Sequence, residues 1–223
     1  MKKVRKKERE LPSYTRGEER FHWISHAAGG GLAVFGTALL LVRAARGGSG
    51  TAVAACAIYG ASLILLYTMS ALYHGLRPPA AKRVMRVLDH CTIFFLIGGT
   101  YTPVALCAIR GVSPGWGWSI FGVVWGFCLI GCTLTAIDLR RYAAPAMVCY
   151  IGVGWCILLA AKQAIEAIPL PGLLWLLSGG IAYTVGAVLY GIGKKKRWMH
   201  AIFHLFVIAG SVLQYLCVYF YVV

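Results

Sequence analysis

Charged side chains are scarce in this sequence, and acidic ones are the scarcest. Only 13% of the 223 residues are charged, with seven Asp or Glu against 22 Lys or Arg, whereas an ordinary soluble domain has about 25% charged residues. The chain also lacks a polar segment long enough to form a separate soluble domain, because 59% of its residues are hydrophobic. These shortages exclude a soluble globular protein and place any activity within a membrane.

Paired cysteine motifs are also missing, although cysteine itself is present. None of the eight cysteines belongs to a C-x-x-C pair, and all of them fall in or at the ends of apolar runs. They are Cys56, Cys91, Cys107, Cys128, Cys132, Cys149, Cys156 and Cys217. This distribution argues against a disulfide framework or a thiolate metal site and predicts small apolar packing residues.

Long apolar runs are the main feature that the chain does have. Seven of them come close to or exceed the roughly 20 residues that cross a bilayer as a helix. They are approximately Trp23–Val42, Thr51–Leu76, Val87–Ile109, Trp116–Ile137, Pro145–Ala161, Leu173–Ile192 and Trp198–Val222. The sequence therefore predicts an all-α integral membrane protein, with a seven-transmembrane helix bundle in residues 21–223 after a basic tail in residues 1–20.

Basic residues concentrate in alternate loops between these runs. The tail holds eight Lys or Arg residues, and the second, fourth and sixth loops hold ten more. The opposite side holds only Arg43, Arg46, Arg110 and Lys162. By the positive-inside rule, the N-terminus is predicted to be cytoplasmic and the C-terminus outside. The net charge of +15 is thus a topology signal and not a sign of nucleic-acid binding, and the tail is expected to lie on anionic lipid headgroups.

All six histidines fall at predicted cytoplasmic helix ends. They are His22, His26, His74, His90, His200 and His204. His200 and His204 are spaced i, i+4, so they present two imidazoles on one helix face, and His74 ends the second run at the same depth. Ionisable groups kept near a membrane interior usually face a cavity or a partner. Three neutral imidazoles match the ligand set of a catalytic Zn²⁺ site, which leaves a fourth position for water.

Two more polar side chains are predicted at this depth. Asp89 begins the third run and could orient or deprotonate the water, or could bind zinc directly; the sequence leaves both roles open. Ser70 lies one turn before His74 on the same face and could donate a hydrogen bond to the water or to a developing oxyanion. His22 and His26 are assigned to interfacial hydrogen bonds or to a second, weaker site.

The alternative to a metal centre is a polar network that holds the second, third and seventh helices together without metal. Hydrogen bonds between membrane helices contribute only about 0.6 kcal/mol on average. Such a network is therefore a weak explanation for three histidines and an aspartate at one depth.

The order of these motifs resembles the bacterial hemolysin III family of the progestin and adipoQ receptor superfamily, and more distantly adiponectin receptors and alkaline ceramidases. The motifs are Ser70-x-x-x-His74, Leu88-Asp89-His90, Gly99-Thr100-Tyr101-Thr102-Pro103, His200-x-x-x-His204 and Gly210-Ser211. The resemblance runs from about Glu18 to the C-terminus. In the first run this chain has His22, Ser25 and Ala27 where that family usually has Asn, Thr and Gly.

The resemblance implies a bacterial inner-membrane protein with a cytoplasm-side zinc bound by His74, His200 and His204. Asp89 and Ser70 match the remaining polar positions. Kinship with ceramidases implies a hydrolase that acts on an amide or ester bond of a membrane lipid.

Two alternatives from other functional classes stay open. A pore-forming, cytolytic protein has little support, because no run carries the repeating polar stripe of a water channel. A non-enzymatic regulator that binds membrane lipids would hold a structural zinc in a closed shell without water. No feature of the sequence predicts an oligomeric state.

Overall fold

The computed structural model describes residues 11–193 and 196–223. The first ten residues of the predicted basic tail, together with Lys194 and Lys195 of the sixth loop, lie outside the described residues. Within the described part, seven helices are long and apolar enough to cross a membrane. This confirms the predicted all-α, seven-helix class.

Each of the seven helices overlaps one predicted apolar run. They are α1 Arg16–Arg46, α2 Gly50–Gly75, α3 Pro79–Pro103, α4 Pro114–Ile137, α5 Ala143–Gly154, α6 Leu170–Gly193 and α7 Met199–Cys217. The third helix is the central one, because 78% of its apolar window is buried against 22% for α1.

Three of these helices are followed directly by an irregular helical segment. A π-helical segment, Val104–Ile109, follows Pro103 at the end of α3, where proline removes a backbone donor. A 3₁₀ segment, Cys156–Ala160, extends α5 into a last helical stretch, and a second π-helical segment, Val218–Val222, ends α7. The Tyr101 hydroxyl donates to the carbonyl of Gly154 at 2.9 Å and accepts the Ile157 N–H at 2.8 Å. It thereby satisfies backbone groups that the break in α5 exposes.

The start of α1 is tied to the start of α7. Thr15 and Glu18 form a reciprocal capping box at the first turn of α1. The other carboxylate oxygen of Glu18 accepts the backbone N–H of Trp198 at 2.8 Å. Trp198 precedes α7 in the left-handed conformation, with φ of 63°, which is uncommon for a residue other than glycine. This contact sets the first turns of α1 and α7 beside each other, and His22 and His200 lie there.

Close helix packing depends on glycines that the sequence pattern does not single out. The spacing Gly122-x-x-x-Gly126 in α4 indicates a helix contact, yet within the described residues a Cβ at either position would meet no heavy atom within 4 Å. Gly131 of the same helix makes the contact instead. A Cβ there would lie 2.3 Å from the ring of Phe94, a buried residue of α3.

Candidate metal centre

Five of the six histidines pack against one another at one end of the bundle, and we call them the histidine cluster. They are His22, His26, His74, His200 and His204. Helices α1 and α7 contribute two each and α2 contributes one. All five side chains are buried, with His22 completely inaccessible. Buried polar groups normally have hydrogen-bond partners. Five buried imidazoles in one place therefore need a common ligand or a hydrogen-bond network.

The three predicted metal ligands are brought together in this cluster. The ring centroid of His74 lies 5.3 Å from that of His200 and 5.1 Å from that of His204. The His200 and His204 centroids are 4.8 Å apart, and their Nε2 atoms are separated by 3.0 Å. The i, i+4 spacing on α7 thus turns two ring nitrogens toward one point, and α2 supplies a third ring beside it.

His22 joins the same group of rings. Its centroid lies 4.5 Å from that of His74. It lies 4.6 Å from that of His200 and 4.8 Å from that of His204. One ligand atom from each of His22, His74 and His200 lies within 4.8 Å of the other two, an arrangement that could hold a metal ion.

The expected interfacial hydrogen bonds of His22 and His26 are not formed within the described residues. Both ring nitrogens of each histidine are buried and lack a hydrogen-bond partner there. The reason is the rotation of α1, which buries a stripe that continues through Gly29 and Ala33 and turns both histidines inward. Their i, i+4 spacing was the available signal, and it places them in the histidine cluster instead of a separate site.

The remaining donor atoms fit a divalent metal. Among the described residues, the Nε2 atom of His74 and the Nδ1 atom of His204 also have no hydrogen-bond partner. Several neutral imidazole nitrogens that converge in a buried space are the donor set that Zn²⁺ and similar divalent ions prefer. The cluster therefore has the chemistry of a metal site.

A carboxylate on α1 orients one of these imidazoles, and the sequence analysis did not identify it. Glu19 places one oxygen 2.8 Å from Nδ1 of His74, and its other oxygen pairs with the ammonium group of Lys82. When the carboxylate accepts the Nδ1 proton, the Nε2 lone pair of His74 is free to face the cluster. Metal-binding histidines are commonly held by a carboxylate in this way.

We predict that Glu19→Ala weakens metal binding by about 10- to 100-fold, the usual cost of removing such an orienting partner. Without the carboxylate, nothing holds His74 in the tautomer and rotation that present Nε2. Competition for zinc between the purified protein and a chromophoric chelator measures the affinity. Glu166→Ala is the matched control, since Glu166 is exposed in the last helical turns after α5. Equal affinities for Glu19→Ala and the intact chain would show that the carboxylate has no such role.

Asp89 and Ser70 lie beside the histidine cluster. The Asp89 side chain, 15% exposed, interacts with the buried Ser70 hydroxyl. Among the described residues, Asp89 is not in the group whose ligand atoms lie within 4.8 Å of one another. It shares with Ser70, His200 and His204 the wall of one cavity.

His90 is turned away from the cluster, as its position next to Asp89 on the helix predicts. Its Nδ1 atom lies 2.9 Å from the carbonyl oxygen of Arg86, and its Nε2 atom lies 3.1 Å from the Tyr190 hydroxyl. The Tyr150 hydroxyl donates to the His90 carbonyl at 2.9 Å. These contacts link α3 to α5 and α6 and give His90 a packing role.

The cavity extends from the histidine cluster into the apolar interior. It has a volume of about 150 Å³ and is lined by residues of α1, α2, α3, α5, α6 and α7. Its far wall includes Gln214, ten residues after His204, which corresponds to about 15 Å along the axis of α7. Ile93, Ile97 and Phe203 are among the apolar side chains between these ends. Most of the lining is apolar, and the lining carboxylate and imidazoles lie at the end of the histidine cluster.

Comparison with known proteins follows from this arrangement of motifs. The model of the family described as "Haemolysin-III related" matches residues 14–215, a range that includes the whole histidine cluster, Asp89 and Ser70. The chain belongs to this family. The match also confirms the resemblance that the spaced histidine, aspartate and glycine motifs indicated.

Two bacterial members of the family align with nearly the whole chain. The protein is 37% identical over 205 residues to "Hemolysin-3" of Bacillus cereus, covering 92% of each chain. It is 33% identical over 210 residues to "Hemolysin-3 homolog" of Bacillus subtilis (strain 168), covering 94% of this chain and 97% of the other. A more distant relative is "Monocyte to macrophage differentiation factor" of Homo sapiens, 24% identical over 172 residues, with 74% and 68% coverage.

The family match begins at Tyr14. The ring of this residue covers the histidine cluster on the side of the N-terminal tail. Its ring centroid lies 5.0 Å from that of His22 and 5.1 Å from that of His200. It also lies 5.7 Å from the ring of His74. Burial raises the pKa of the Tyr14 phenol, so the ring is a neutral cover over the cluster at neutral pH.

Proposed function

We propose that this chain is a zinc-dependent integral membrane hydrolase that cleaves an amide or ester bond of a membrane lipid. The observation that carries the proposal is the convergence of buried imidazole nitrogens that have no hydrogen-bond partner in the described part of the chain, at one end of a cavity that Asp89 and Ser70 also line. Metal ligands, a carboxylate and a hydroxyl around one space are the components of metal-assisted hydrolysis.

The imidazoles of His74, His200 and His204 would hold the metal. When bound, zinc supplies Lewis-acid polarisation of a carbonyl and lowers the pKa of water to about 7. The contact between Glu19 and His74 would keep one of these ligands in the required tautomer. His200 and His204 would lie close together because their i, i+4 spacing puts both imidazoles on one face of α7.

Asp89 would act as the general base. Its carboxylate lies at the cavity wall and is only partly shielded from solvent, so it could accept a proton from water and return it to the leaving amine or alcohol. Ser70, which lines the same cavity, would orient the carboxylate or donate to the oxyanion that develops on the carbonyl.

The shape of the cavity supports a lipid substrate. The apolar lining that runs beside α7 from His204 to Gln214 would contact part of an acyl chain, with the scissile amide or ester at the end near the histidine cluster. Arg77 lies in the loop after α2, and Lys82, Arg83 and Arg86 lie in the first turns of α3, so the positive-inside rule supports a cytoplasmic position for this end of the bundle in the plasma membrane. Membrane lipids are the proposed substrate or ligand of the cavity. Anionic lipid headgroups are the proposed partners of the basic tail.

A direct assay tests the proposal. The purified protein in lipid vesicles is given an N-acyl lipid and a glycerol ester, and released fatty acid is measured by mass spectrometry. We expect release that stops when a chelator removes the metal and returns when zinc is restored. A metal-loaded protein that releases no fatty acid from either lipid class would contradict the hydrolase proposal.

A second candidate is a non-enzymatic regulator that binds membrane lipid and uses a structural metal. The position of His22 favours this candidate, because a fourth imidazole beside the other three would leave no room for water, as in structural zinc sites. It predicts metal binding and lipid binding without turnover in the fatty-acid assay.

The names of the two Bacillus relatives, which describe them as hemolysins, support a third candidate, a cytolytic membrane protein. Leakage of a trapped ion from vesicles that contain the pure protein tests it. Leakage that persists in a His74→Ala variant would favour a pore, because a pore does not require the metal site.

A further inference from the structure

We propose that His22 is a fourth metal ligand, so that four imidazoles from three helices close the coordination shell in the resting protein. The four are His22 of α1, His74 of α2, and His200 and His204 of α7, and we call them the imidazole tetrahedron. The inference rests on the metal centre of the proposed function and specifies how that centre is closed.

The geometry of the four rings matches one tetrahedral ion. The ring of His22 lies 4.5 to 4.8 Å from the other three, and those three lie 4.8 to 5.3 Å from one another. Four points with nearly equal separations form a tetrahedron. With Zn–N bonds of about 2.0–2.1 Å, ring centroids lie about 3.2 Å from the ion, so tetrahedral geometry separates them by about 5 Å.

One ring nitrogen from each of His22, His74 and His200 lies within 4.8 Å of the other two, and His204 joins this group through His200. His200 and His204 bring their Nε2 atoms to 3.0 Å, close to the separation of about 3.3 Å between two nitrogens of a tetrahedral zinc site. His22 is fully buried, and neither of its nitrogens has a hydrogen-bond partner within the described residues. A buried imidazole without such partners among metal-ligating rings has the chemistry of a ligand.

His26 does not fit this role, although it belongs to the histidine cluster. Its ring stacks on that of His204, with centroids 3.7 Å apart and an angle of 25° between the planes. This separation is too short for two imidazoles on one tetrahedral ion, whose centroids lie about 5 Å apart, whereas the His22 and His204 centroids are 4.8 Å apart. His26 therefore supports His204 by packing, and His22 is the ligand from α1.

The fourth imidazole changes what the centre can do. An open catalytic site keeps its fourth position for water, whereas His22 would occupy that position. The metal would then be held tightly, and any hydrolytic cycle would require His22 to leave before water or a lipid carbonyl could bind.

Cobalt substitution tests this inference without an activity assay. Metal is removed from the purified full chain, Co²⁺ is added, and the visible spectrum is followed while azide is titrated. We expect azide to leave the spectrum of the intact protein unchanged, because no position is open. The His22→Asn variant should bind Co²⁺ at least about tenfold more weakly, and its spectrum should respond to azide. His90→Asn, a histidine outside the cluster, should behave like the intact protein.

The outcomes separate this inference from the metal centre itself. If azide changes the spectrum of intact protein and His22→Asn binds Co²⁺ equally well, His22 is not a ligand and the three-histidine centre stands. If neither form binds Co²⁺ and the intact chain purifies without metal, both proposals fall. The azide titration of the intact protein decides the question even if His22→Asn does not fold.

Discussion

The double variant His200→Ala/His204→Ala should purify without metal, whereas the intact chain should carry about one zinc ion per molecule. Both substitutions remove imidazoles that present their Nε2 atoms 3.0 Å apart in the centre of the cluster. Only His22 and His74 would remain of the imidazole tetrahedron, and two neutral imidazoles do not complete the three- or four-ligand shell that zinc requires. Elemental analysis of detergent-purified protein measures the difference.

The matched control for this experiment is His90→Ala. This histidine lies near the same end of the bundle, but its ring nitrogens face Arg86 and Tyr190. It should retain the metal content of the intact protein, and size-exclusion chromatography should show that each variant is folded. Absence of metal from the intact chain as well would favour a polar network that holds α1, α2 and α7 together, and the hydrolase proposal would fall with the metal.

Asp89→Ala should abolish lipid turnover while zinc remains bound. Removing a general base typically lowers the rate by about 10²- to 10⁴-fold, and in this chain the carboxylate lies at the cavity wall beside the histidine cluster. The measurement is fatty-acid release from reconstituted protein, normalised to the zinc content of each preparation.

Asp138→Ala is the corresponding control. Asp138 lies at the end of α4, where its carboxylate accepts the backbone N–H groups of Arg140 and Arg141 at 3.0 Å, so turnover should be unchanged. Undiminished turnover in Asp89→Ala would remove Asp89 from the mechanism. Loss of both zinc and turnover would instead identify Asp89 as a direct ligand, the alternative that the sequence leaves open.

The contact between Glu19 and His74 links the histidine cluster to the first turn of α1. Glu19 lies on the first turn of α1, beside the capping residue Glu18 that contacts the residue before α7. The same turn therefore sets the position of α7 and the orientation of His74 on α2. Residues 11–20 contribute directly to the candidate metal centre, although their polar composition places them in the predicted tail.

The sequence by itself determined the class of the protein and the depth of its polar site. Seven runs of apolar residues have one stable solution in a bilayer, because a membrane-crossing segment must satisfy its own backbone hydrogen bonds. Successive helices run in opposite directions, so His74 at the end of one and His200 at the start of another must lie at the same end. The i, i+4 spacing of His200 and His204 then follows from helix geometry.

Only the tertiary structure decided which side chains complete the site. Periodicity relates His22 to His26 on one face of α1, but it does not say how α1 is rotated toward its neighbours. That rotation depends on packing between distant residues, such as Gly29 against the ring of Tyr67. Glu19 reaches His74 across 55 positions of sequence for the same reason. The spacing of residues on a helix face depends on local sequence. The rotation of each helix about its own axis depends on side-chain packing across the whole bundle.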